Sequence, residues 1–254
     1  MEIHNPDREK KVILIADYGR SGQGWLSYML CYILNAKYIE PYYFLSGALY
    51  TEDKELRNIT SGDLPGREES AYSMVIKTHE LPAANFHLTD KVIFLMRDPR
   101  DVAVSAYFMY RVTIAEDSNT SLKNNIFYLI HRFKFTSFMH TAFKWRKFFR
   151  TWTTRKDISL YSLRYEDLLT ETEKTLKNIL GYLEVSVPDS LVREAIQTFS
   201  FEKLAGRKRG EEDNANPTFR KGIIGDYKNH FSRIDRMLFR QICGKEMEIL
   251  GYEF

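Results

Sequence analysis

A short apolar strand, a glycine-containing loop and a helix follow one another near the start of the chain. The run KVILIA, Lys11–Ala16, is rich in β-branched residues, as expected of a strand that is covered on both faces. Apolar residues then recur at helical spacing: Trp25, Leu26, Met29, Leu30, Ile33 and Leu34. A buried strand that turns directly into a helix indicates the α/β class, in which strands alternate with helices.

Three further apolar runs predict strands of the same sheet: residues 73–77 (SMVIK), residues 91–96 (KVIFLM) and residues 158–163 (ISLYSL). Helical segments separate these runs, so a central parallel β-sheet flanked by helices, with right-handed crossovers, is predicted. We expect residues 1–254 to form a single domain, because a chain of this length buries a substantial core. Ligands of such sheets bind beyond the carboxyl ends of the strands.

Local patterns predict where three helices begin. Asp98-Pro99 suits a first turn, because aspartate accepts from first-turn amides and proline needs no partner for its nitrogen. Two other segments have the form of a capping box: Thr170-x-x-Glu173 and Ser232-x-x-Asp235.

Composition and charge exclude several classes of partner. The chain has 37 Lys and Arg against 34 Asp and Glu, so no strong field is expected for nucleic acid or a membrane. The start, MEIHNPDREKK, has no apolar core of a secretory signal, and no run of about eighteen apolar residues predicts a spanning helix. A cytoplasmic enzyme fits these features. Cys31 and Cys243 lack metal-ligand spacing, and oligomeric state stays open.

The loop YGRSGQGW, between the first strand and its helix, is predicted to bind an anion. Gly19 and Gly24 have the spacing of a P-loop, but Trp25-Leu26 stands where a Lys-Ser/Thr pair would hold phosphate and magnesium. The loop amides still meet a helix N-terminus, where the helix dipole favours an anion, and Arg20 adds a positive charge. The loop is therefore P-loop-like, without the magnesium-binding part.

Basic side chains follow the other predicted strands. VIKTHE places Lys77 and His79 two residues apart at a strand end, so both can point into one crevice. MRDPRDVAVSAYF places Arg97 at the next strand end and Ser105 about two turns into the following helix. A basic cluster beside a glycine lies near the C-terminus: Arg220, Lys221 and Gly222. Convergence of these cations on one crevice suits a ligand with more than one phosphate-like group.

These motifs, in this order, resemble the cytosolic-type sulfotransferases, which use 3′-phosphoadenosine 5′-phosphosulfate (PAPS). YGRSGQGW resembles the family's 5′-phosphosulfate loop, Y-P-K-S-G-T-T-W, and KTH is identical to its strand-end motif. RDPRDVAVSAYF resembles its 3′-phosphate motif. YEDL and FSFEKL resemble its adenine-binding segments, and RKGIIGDYKNHF resembles the C-terminal R-K-G-x-x-G-D-W-K motif.

The resemblance implies the fold, the donor and a residue set. PAPS would be the co-substrate, adenosine 3′,5′-bisphosphate (PAP) the product, and no metal would take part. His79 would be the general base, with a pKa suited to neutrality, while Lys77 and Arg20 would stabilise developing charge. The residues implied to bind the cofactor are Arg20, Ser21, Gly22, Gln23, Gly24, Trp25, Arg97, Ser105, Tyr165, Phe199, Phe201, Phe219, Arg220, Lys221 and Gly222.

Several residues depart from the family pattern. Arg20 replaces the usual lysine, and arginine holds oxyanions with a fork but does not readily donate a proton. Gln23 and Gly24 replace two threonines, so backbone amides, helped by the Gln23 side chain, must carry more of the 5′-phosphate contact. Phe199 stands where the family often has a polar adenine contact, and Tyr227 replaces a tryptophan. Weaker or differently posed cofactor binding is expected.

The acceptor is expected to be a small molecule with a hydroxyl or an amine, of the kind found among secondary metabolites. Aromatic candidates for its pocket are Tyr42, Tyr43, Phe44, Tyr107, Phe108 and Tyr110. Two alternatives stay open. One is a non-catalytic PAP-binding module of the same fold. The other is a P-loop kinase, which Trp25-Leu26 argues against.

Overall fold

The computed structural model describes residues 11–41, 50–51, 70–82, 89–116, 122–213 and 219–254. The chain divides into two compact units. The first unit is Met1–Met96 with Arg155–Ser200, and the second is Arg97–Thr154 with Phe201–Phe254. The prediction of one domain over residues 1–254 stays a prediction.

The first unit contains the β-sheet. Its described strands are β1 (Lys11–Ala16), β2 (Lys37–Pro41), β3 (Tyr50–Thr51), β4 (Tyr72–Thr78), β5 (Lys91–Met96) and β6 (Leu160–Arg164). The strand order is β3-β2-β4-β1-β5-β6. Five strands are parallel, and β3 pairs antiparallel with β2. The predicted α/β class with a central parallel sheet is confirmed.

The described α-helices are, in chain order, α1 (Gln23–Leu34), α2 (Pro99–Glu116), α3 (Leu122–Arg132), α4 (Lys134–Thr153), α5 (Tyr165–Thr170), α6 (Thr172–Tyr182), α7 (Asp189–Thr198), α8 (Phe201–Ala205) and α9 (Arg233–Ile249). A 3₁₀ helix covers Asp226–Asn229. Helices α1, α5, α6 and α7 belong to the first unit, and the others belong to the second. Within the described residues no helix is long and apolar enough to cross a membrane.

The burial of the central strands explains why their apolar runs predicted them correctly. Ile13 and Ile15 of β1, and Ile93 and Phe94 of β5, are fully buried, because a parallel strand between two neighbours is covered on both faces. The short strands β2 and β3 were not predicted. Strand β2 reads KYIEP and contains charged residues and a proline, so it lacks the continuous apolar run that marked the other strands.

Two of the three predicted helix starts are confirmed and one is wrong. The Arg100 N–H donates to the Asp98 carboxylate at 2.9 Å ahead of α2, and Ser232 forms the expected capping box at α9. The prediction for Thr170 fails because α5 continues through that residue. Its hydroxyl donates to the Glu166 carbonyl at 2.9 Å, as inside a helix, and Glu171 takes the cap position of α6.

Candidate active site

The loop between β1 and α1 has a left-handed backbone at three positions. The φ angle is 104° at Gly19, 62° at Arg20 and 83° at Gly22. Left-handed residues in a tight loop aim backbone amides at a common point, which makes a concavity suited to an anion. The first bond within α1 runs from the Leu26 N–H to the Gly22 carbonyl at 3.1 Å, so the helix amides before Leu26 face this loop.

Gly22 is required by its conformation and by a close neighbour. A Cβ built on Gly22 would lie 2.6 Å from Cδ2 of Tyr165, well inside contact distance. Tyr165 opens α5 after β6, and its ring is buried. The resemblance to the family implied that both residues bind the cofactor. That assignment stays a prediction.

Gln23, the first residue of α1, turns its side chain into the sheet. Its amide nitrogen donates to the Ile15 carbonyl and, at 3.4 Å, to the Thr78 carbonyl. The side chain is buried and joins the carboxyl ends of β1 and β4. The expectation that this side chain helps to hold the 5′-phosphate therefore finds no support in its orientation. A role for Gln23 toward the cofactor rests on its backbone amide.

Asp17 lies beside His79, and the sequence analysis did not single it out. The Asp17 side chain is fully buried, and its Oδ1 is 2.6 Å from Nδ1 of His79. The Asp17 backbone oxygen is 3.2 Å from the same nitrogen. The other carboxylate oxygen accepts from the Ser21 N–H at 3.3 Å. One acid therefore contacts both the predicted base and the loop.

The pKa of His79 is raised from its ordinary value. Burial is the largest influence and lowers this pKa, but the charge and hydrogen bond of Asp17 outweigh it. Lys77, two residues earlier on β4, lowers the pKa by a smaller amount. The Lys77 ammonium also lies 6.0 Å from the ring centroid of Tyr38. His79 keeps 31% of its side chain exposed, so solvent or a ligand can reach it.

Trp25 and Phe199 are joined through a backbone group. The indole N–H of Trp25 donates to the Phe199 carbonyl at 2.8 Å. The Phe199 ring itself is buried, with the rings of Tyr28 and Tyr32 at centroid distances of 5.9 and 5.7 Å. The assignment of Phe199 to the cofactor stays a prediction. Its visible role here is to hold the Trp25 indole.

In the second unit, Arg97, just before α2, and Asp101, in its first turn, hold the segment after Phe219. Arg97 donates to the Ile223 carbonyl at 2.9 Å. The buried Asp101 carboxylate accepts from the amides of Gly225 at 2.7 Å and Tyr227 at 2.9 Å. Burial raises the pKa of Asp101 more than Arg97 lowers it. The backbone of this segment is thus fixed by a charged group just before α2 and another in its first turn.

Arg220 and Lys221 are paired with two acids that the sequence analysis missed. Arg220 is buried, and its guanidinium contacts Glu212 at 2.7 Å and also Asp226. The Lys221 ammonium is 3.1 Å from Glu212 and 3.2 Å from Asp226. Burial works to raise the pKa of Asp226, but the hydrogen bonds from Arg220, Asn229 and Lys221, with the Arg220 charge, together outweigh it and hold that pKa well below its usual range. A phosphate that binds here must compete with Glu212.

The neighbouring residues form an aromatic and glycine contact. A Cβ built on Gly222, where φ is 65°, would lie 2.5 Å from Cε2 of Phe201. The Phe219 ring meets the Phe201 ring edge-on, at a centroid distance of 6.4 Å. Arg209 donates to the Gly222 carbonyl at 3.1 Å and lies 5.2 Å from the Phe201 ring centroid. Phe201 is therefore enclosed by this segment.

The predicted site residues fall into two groups, one in each unit. The first unit contains Arg20, Ser21, Gly22, Gln23, Gly24, Trp25, Lys77, His79, Tyr165 and Phe199. The second unit contains Arg97, Ser105, Phe201, Phe219, Arg220, Lys221 and Gly222, with Ser105 buried in α2. Their convergence on one crevice stays a prediction.

The sequence contains a signal for two of the acids that the sequence analysis did not identify. Asp17 directly follows a buried strand, as His79 follows the strand beside it, and Asp226 lies inside the C-terminal motif. No group of three or more His, Cys, Asp or Glu side chains is placed to hold a metal ion among the residues that the structure describes.

Comparison with known proteins identifies the family. Residues 10–251 match the family described as "Sulfotransferase domain". The chain therefore belongs to the sulfotransferase family. The predicted class of enzyme, a PAPS-dependent sulfotransferase, is confirmed at this level, and the P-loop kinase alternative is set aside.

Individual relatives agree with this assignment. The chain is 26% identical over 253 residues to mouse "Sulfotransferase 1 family member D1", covering 93% of this chain and 83% of that relative. It is 26% identical over 237 residues to human "Sulfotransferase 1E1", covering 87% and 78%. The fold is similar to mouse sulfotransferase SULT7A1 complexed with PAP, with a TM-score of 0.60, 20% identity, and 94% and 84% of the two chains covered.

Proposed function

We propose that this sulfotransferase uses PAPS to sulfate a hydroxyl or an amine of a small-molecule acceptor, with His79 as the general base. The observation that carries the proposal is the position of His79. It follows the carboxyl end of β4, beside the loop between β1 and α1, where a Cβ built on Gly19 would be 3.8 Å from the imidazole Nδ1. The imidazole is partly exposed, while Nδ1 is occupied by Asp17. The other ring nitrogen is thereby left for an acceptor.

The donor set of each unit fits a part of PAPS. In the first unit, the left-handed loop, the amides at the start of α1 and Arg20 suit the 5′-phosphosulfate. In the second unit, Arg97, Arg220 and Lys221 provide the charge that a 3′-phosphate needs. The similar fold of SULT7A1, which was solved with PAP, supports this choice of nucleotide. PAPS supplies the sulfuryl group when it is bound.

The residues of the chain supply proton transfer and charge stabilisation. His79 accepts the proton of the acceptor on Nε2 as the acceptor oxygen or nitrogen attacks the sulfuryl group. The bond between that group and the phosphate of PAPS breaks, and PAP leaves. Arg20 and Lys77 carry fixed positive charges that stabilise negative charge on the transferred group and on the leaving phosphate. Arg20 acts by position and charge, because a guanidinium does not give up a proton near neutral pH.

The acceptor class is proposed from the family and from the role of His79, because a general base requires an acceptor that gives up a proton. Three aromatic candidates for its pocket, Tyr42, Tyr43 and Phe44, lie outside the described residues. The others, Tyr107, Phe108 and Tyr110, lie half-buried on α2. Their contact with an acceptor stays a prediction. We expect cytoplasmic localisation and no metal requirement, also as predictions.

The proposal is tested with PAPS and a panel of phenols, alcohols and amines, with mass spectrometry to detect the gain of one sulfuryl group. His79→Ala should reduce turnover by about 10²-fold to 10⁴-fold, the usual contribution of a general base, while PAP binding measured by calorimetry stays within about twofold, a difference of about 0.4 kcal/mol. His140→Gln, on α4, is a control histidine that the proposal does not use.

Two results would contradict the proposal. Equal turnover in His79→Ala and the parent protein would remove His79 from the role of base. Tight PAP binding without transfer to any member of the panel would instead favour the non-catalytic nucleotide-binding module.

A further inference from the structure

We propose that Asp17 is a positioning residue that sets both the tautomer of His79 and the backbone of the donor loop. The proposal rests on the role of His79 as base, and it deepens that role. Its basis is one buried carboxylate with two oxygens in use: Oδ1 toward His79 and Oδ2 toward the Ser21 amide.

The pairing follows from the register of two neighbouring strands. Strands β1 and β4 are parallel, with Ile15 opposite Lys77 and Ala16 opposite Thr78. The ladder continues one step further, since the Asp17 N–H donates to the Thr78 carbonyl at 3.1 Å. Asp17 is therefore held at the level of the turn that carries His79. The backbone of the acid is thus fixed by a sheet hydrogen bond.

Two oxygens of Asp17 determine which ring nitrogen carries the proton. Nδ1 of His79 lies 2.6 Å from the carboxylate and 3.2 Å from the Asp17 carbonyl. Both oxygens can only accept, so Nδ1 must be the donor. Nε2 is then the nitrogen with the lone pair, as a general base requires. A carboxylate that holds a histidine in this way also stabilises the imidazolium that forms when the base takes a proton.

The charges that face His79 support this arrangement. Asp17 at the end of β1 raises its pKa, whereas Lys77 on β4 lowers it, and burial also lowers it. The net direction is upward, so Asp17 more than offsets the two opposing influences. Removal of the carboxylate leaves burial, Lys77 and the weaker influence of the Asp17 backbone hydrogen bond, so the pKa of His79 should then fall.

The second oxygen connects the base to the donor loop. Ser21 is fully buried, and its N–H donates to Oδ2 of Asp17. Its hydroxyl donates to the Gly19 carbonyl at 3.3 Å, which closes the loop on the other side. The residue between them, Arg20, has a φ of 62°. The Asp17 carboxylate thus helps to hold the left-handed conformation that presents Arg20.

An asparagine at position 17 cannot reproduce both contacts. Its single oxygen can accept from Ser21, which turns the NH₂ group toward Nδ1 and favours the wrong tautomer. If the oxygen instead faces Nδ1, the NH₂ group meets the Ser21 N–H, donor against donor. Either arrangement damages one of the two functions, so Asp17→Asn is a nearly isosteric test.

The first experiment needs neither PAPS nor turnover. ¹⁵N NMR of the unmodified protein reports the tautomer and the pKa of His79, with the signal assigned by its loss in His79→Gln. We expect the neutral ring to carry its proton on Nδ1 and the pKa to lie above that of an exposed histidine. A ring protonated on Nε2 would overturn the proposal. This result stands even if Asp17 variants do not fold.

The second experiment measures pH profiles of kcat and of kcat/KM for PAPS. Asp17→Asn should lower kcat by roughly 10²-fold or more and raise the KM for PAPS. The acidic limb of kcat/KM should move to lower pH, because the base must be neutral to act and its pKa has fallen. A merely structural residue would not move this limb. Asp90→Asn is the matched control, because Asp90 also accepts an amide of β1, from Val12 at 2.7 Å.

A double variant separates this proposal from the role of His79. In the His79→Ala background, Asp17→Asn should cause little further loss of kcat, because its action through the base is already gone. A loss of kcat as large as in the parent background would overturn the proposal. If His79→Ala alone retains full turnover, the proposed base fails, and the NMR tautomer still decides whether Asp17 holds the imidazole.

Discussion

Gly222→Ala, compared with Gly206→Ala, isolates the effect of one ring contact on stability. Both glycines lie in the second unit and have nearly equal left-handed φ angles, 65° and 69°. A Cβ on Gly206 would meet no atom within 4 Å. A Cβ on Gly222 would lie 2.5 and 2.7 Å from two carbons of the Phe201 ring. The two substitutions therefore share the backbone strain and differ in the clash.

The magnitude follows from these two contributions. A left-handed conformation costs an alanine about 1–2 kcal/mol relative to glycine, and both variants carry that cost. Overpacking of a buried ring adds roughly 1–3 kcal/mol, and only Gly222→Ala carries it. The Phe201 ring cannot easily retreat, because it is buried with Phe219 and Arg209 against it. Gly222→Ala should therefore be the less stable variant by about 1–3 kcal/mol.

Urea unfolding of the parent and both variants, followed by circular dichroism, measures the difference. Phe201→Ala provides an internal check. In that background the ring is absent, so the extra cost of Gly222→Ala should shrink to that of Gly206→Ala. Equal unfolding midpoints for the two single glycine variants, with unchanged slopes, would refute the reasoning.

Two further predictions concern the acids around Arg220. Glu212→Gln should tighten PAP binding about twofold to fivefold at low salt, since it removes a partly exposed competitor for Arg220 and Lys221. The affinity for adenosine 5′-phosphate should be unchanged. Glu211→Gln is the matched control for net charge. A tightening shared by both nucleotides would contradict this mechanism. The depressed pKa of Asp226 contributes stability that is present above the ordinary aspartate pKa and is lost as pH falls below about 4. Asp226→Asn should flatten the acid limb of the stability profile in calorimetric scans, and an unchanged limb would contradict the assignment.

The sequence predicted the elements whose signal is local. Four strands, β1, β4, β5 and β6, were visible as apolar runs, and Ser232 was recognisable as a cap because the pattern lies within four residues. Strands β2 and β3 were missed because β2 depends on pairing with β4, and β3 on pairing with β2, and not on their own composition. Thr170 was misread because the helix before it continues, and a capping pattern does not show where the preceding helix stops.

The motif residues were predicted from sequence, but their charged partners were not. Asp17 meets His79 through the register of two strands separated by more than fifty residues. Gln23 points into the sheet because two strand-end carbonyls lie within reach of its amide, which no local pattern reveals. Nothing in the local sequence indicates that Glu212 and Asp226 both pair with Arg220, because that pairing depends on the folded chain.

The ladder bond from Asp17 to Thr78 has a consequence for how this enzyme can change. The proposed base and its acid are anchored to backbone groups of β1 and β4, so their spacing does not depend on the side chains that surround an acceptor. Substitutions in the acceptor-facing segments can therefore alter substrate choice without displacing the imidazole. Laboratory evolution toward a new acceptor should accumulate changes outside positions 15–17 and 76–79 and leave the pH optimum unchanged.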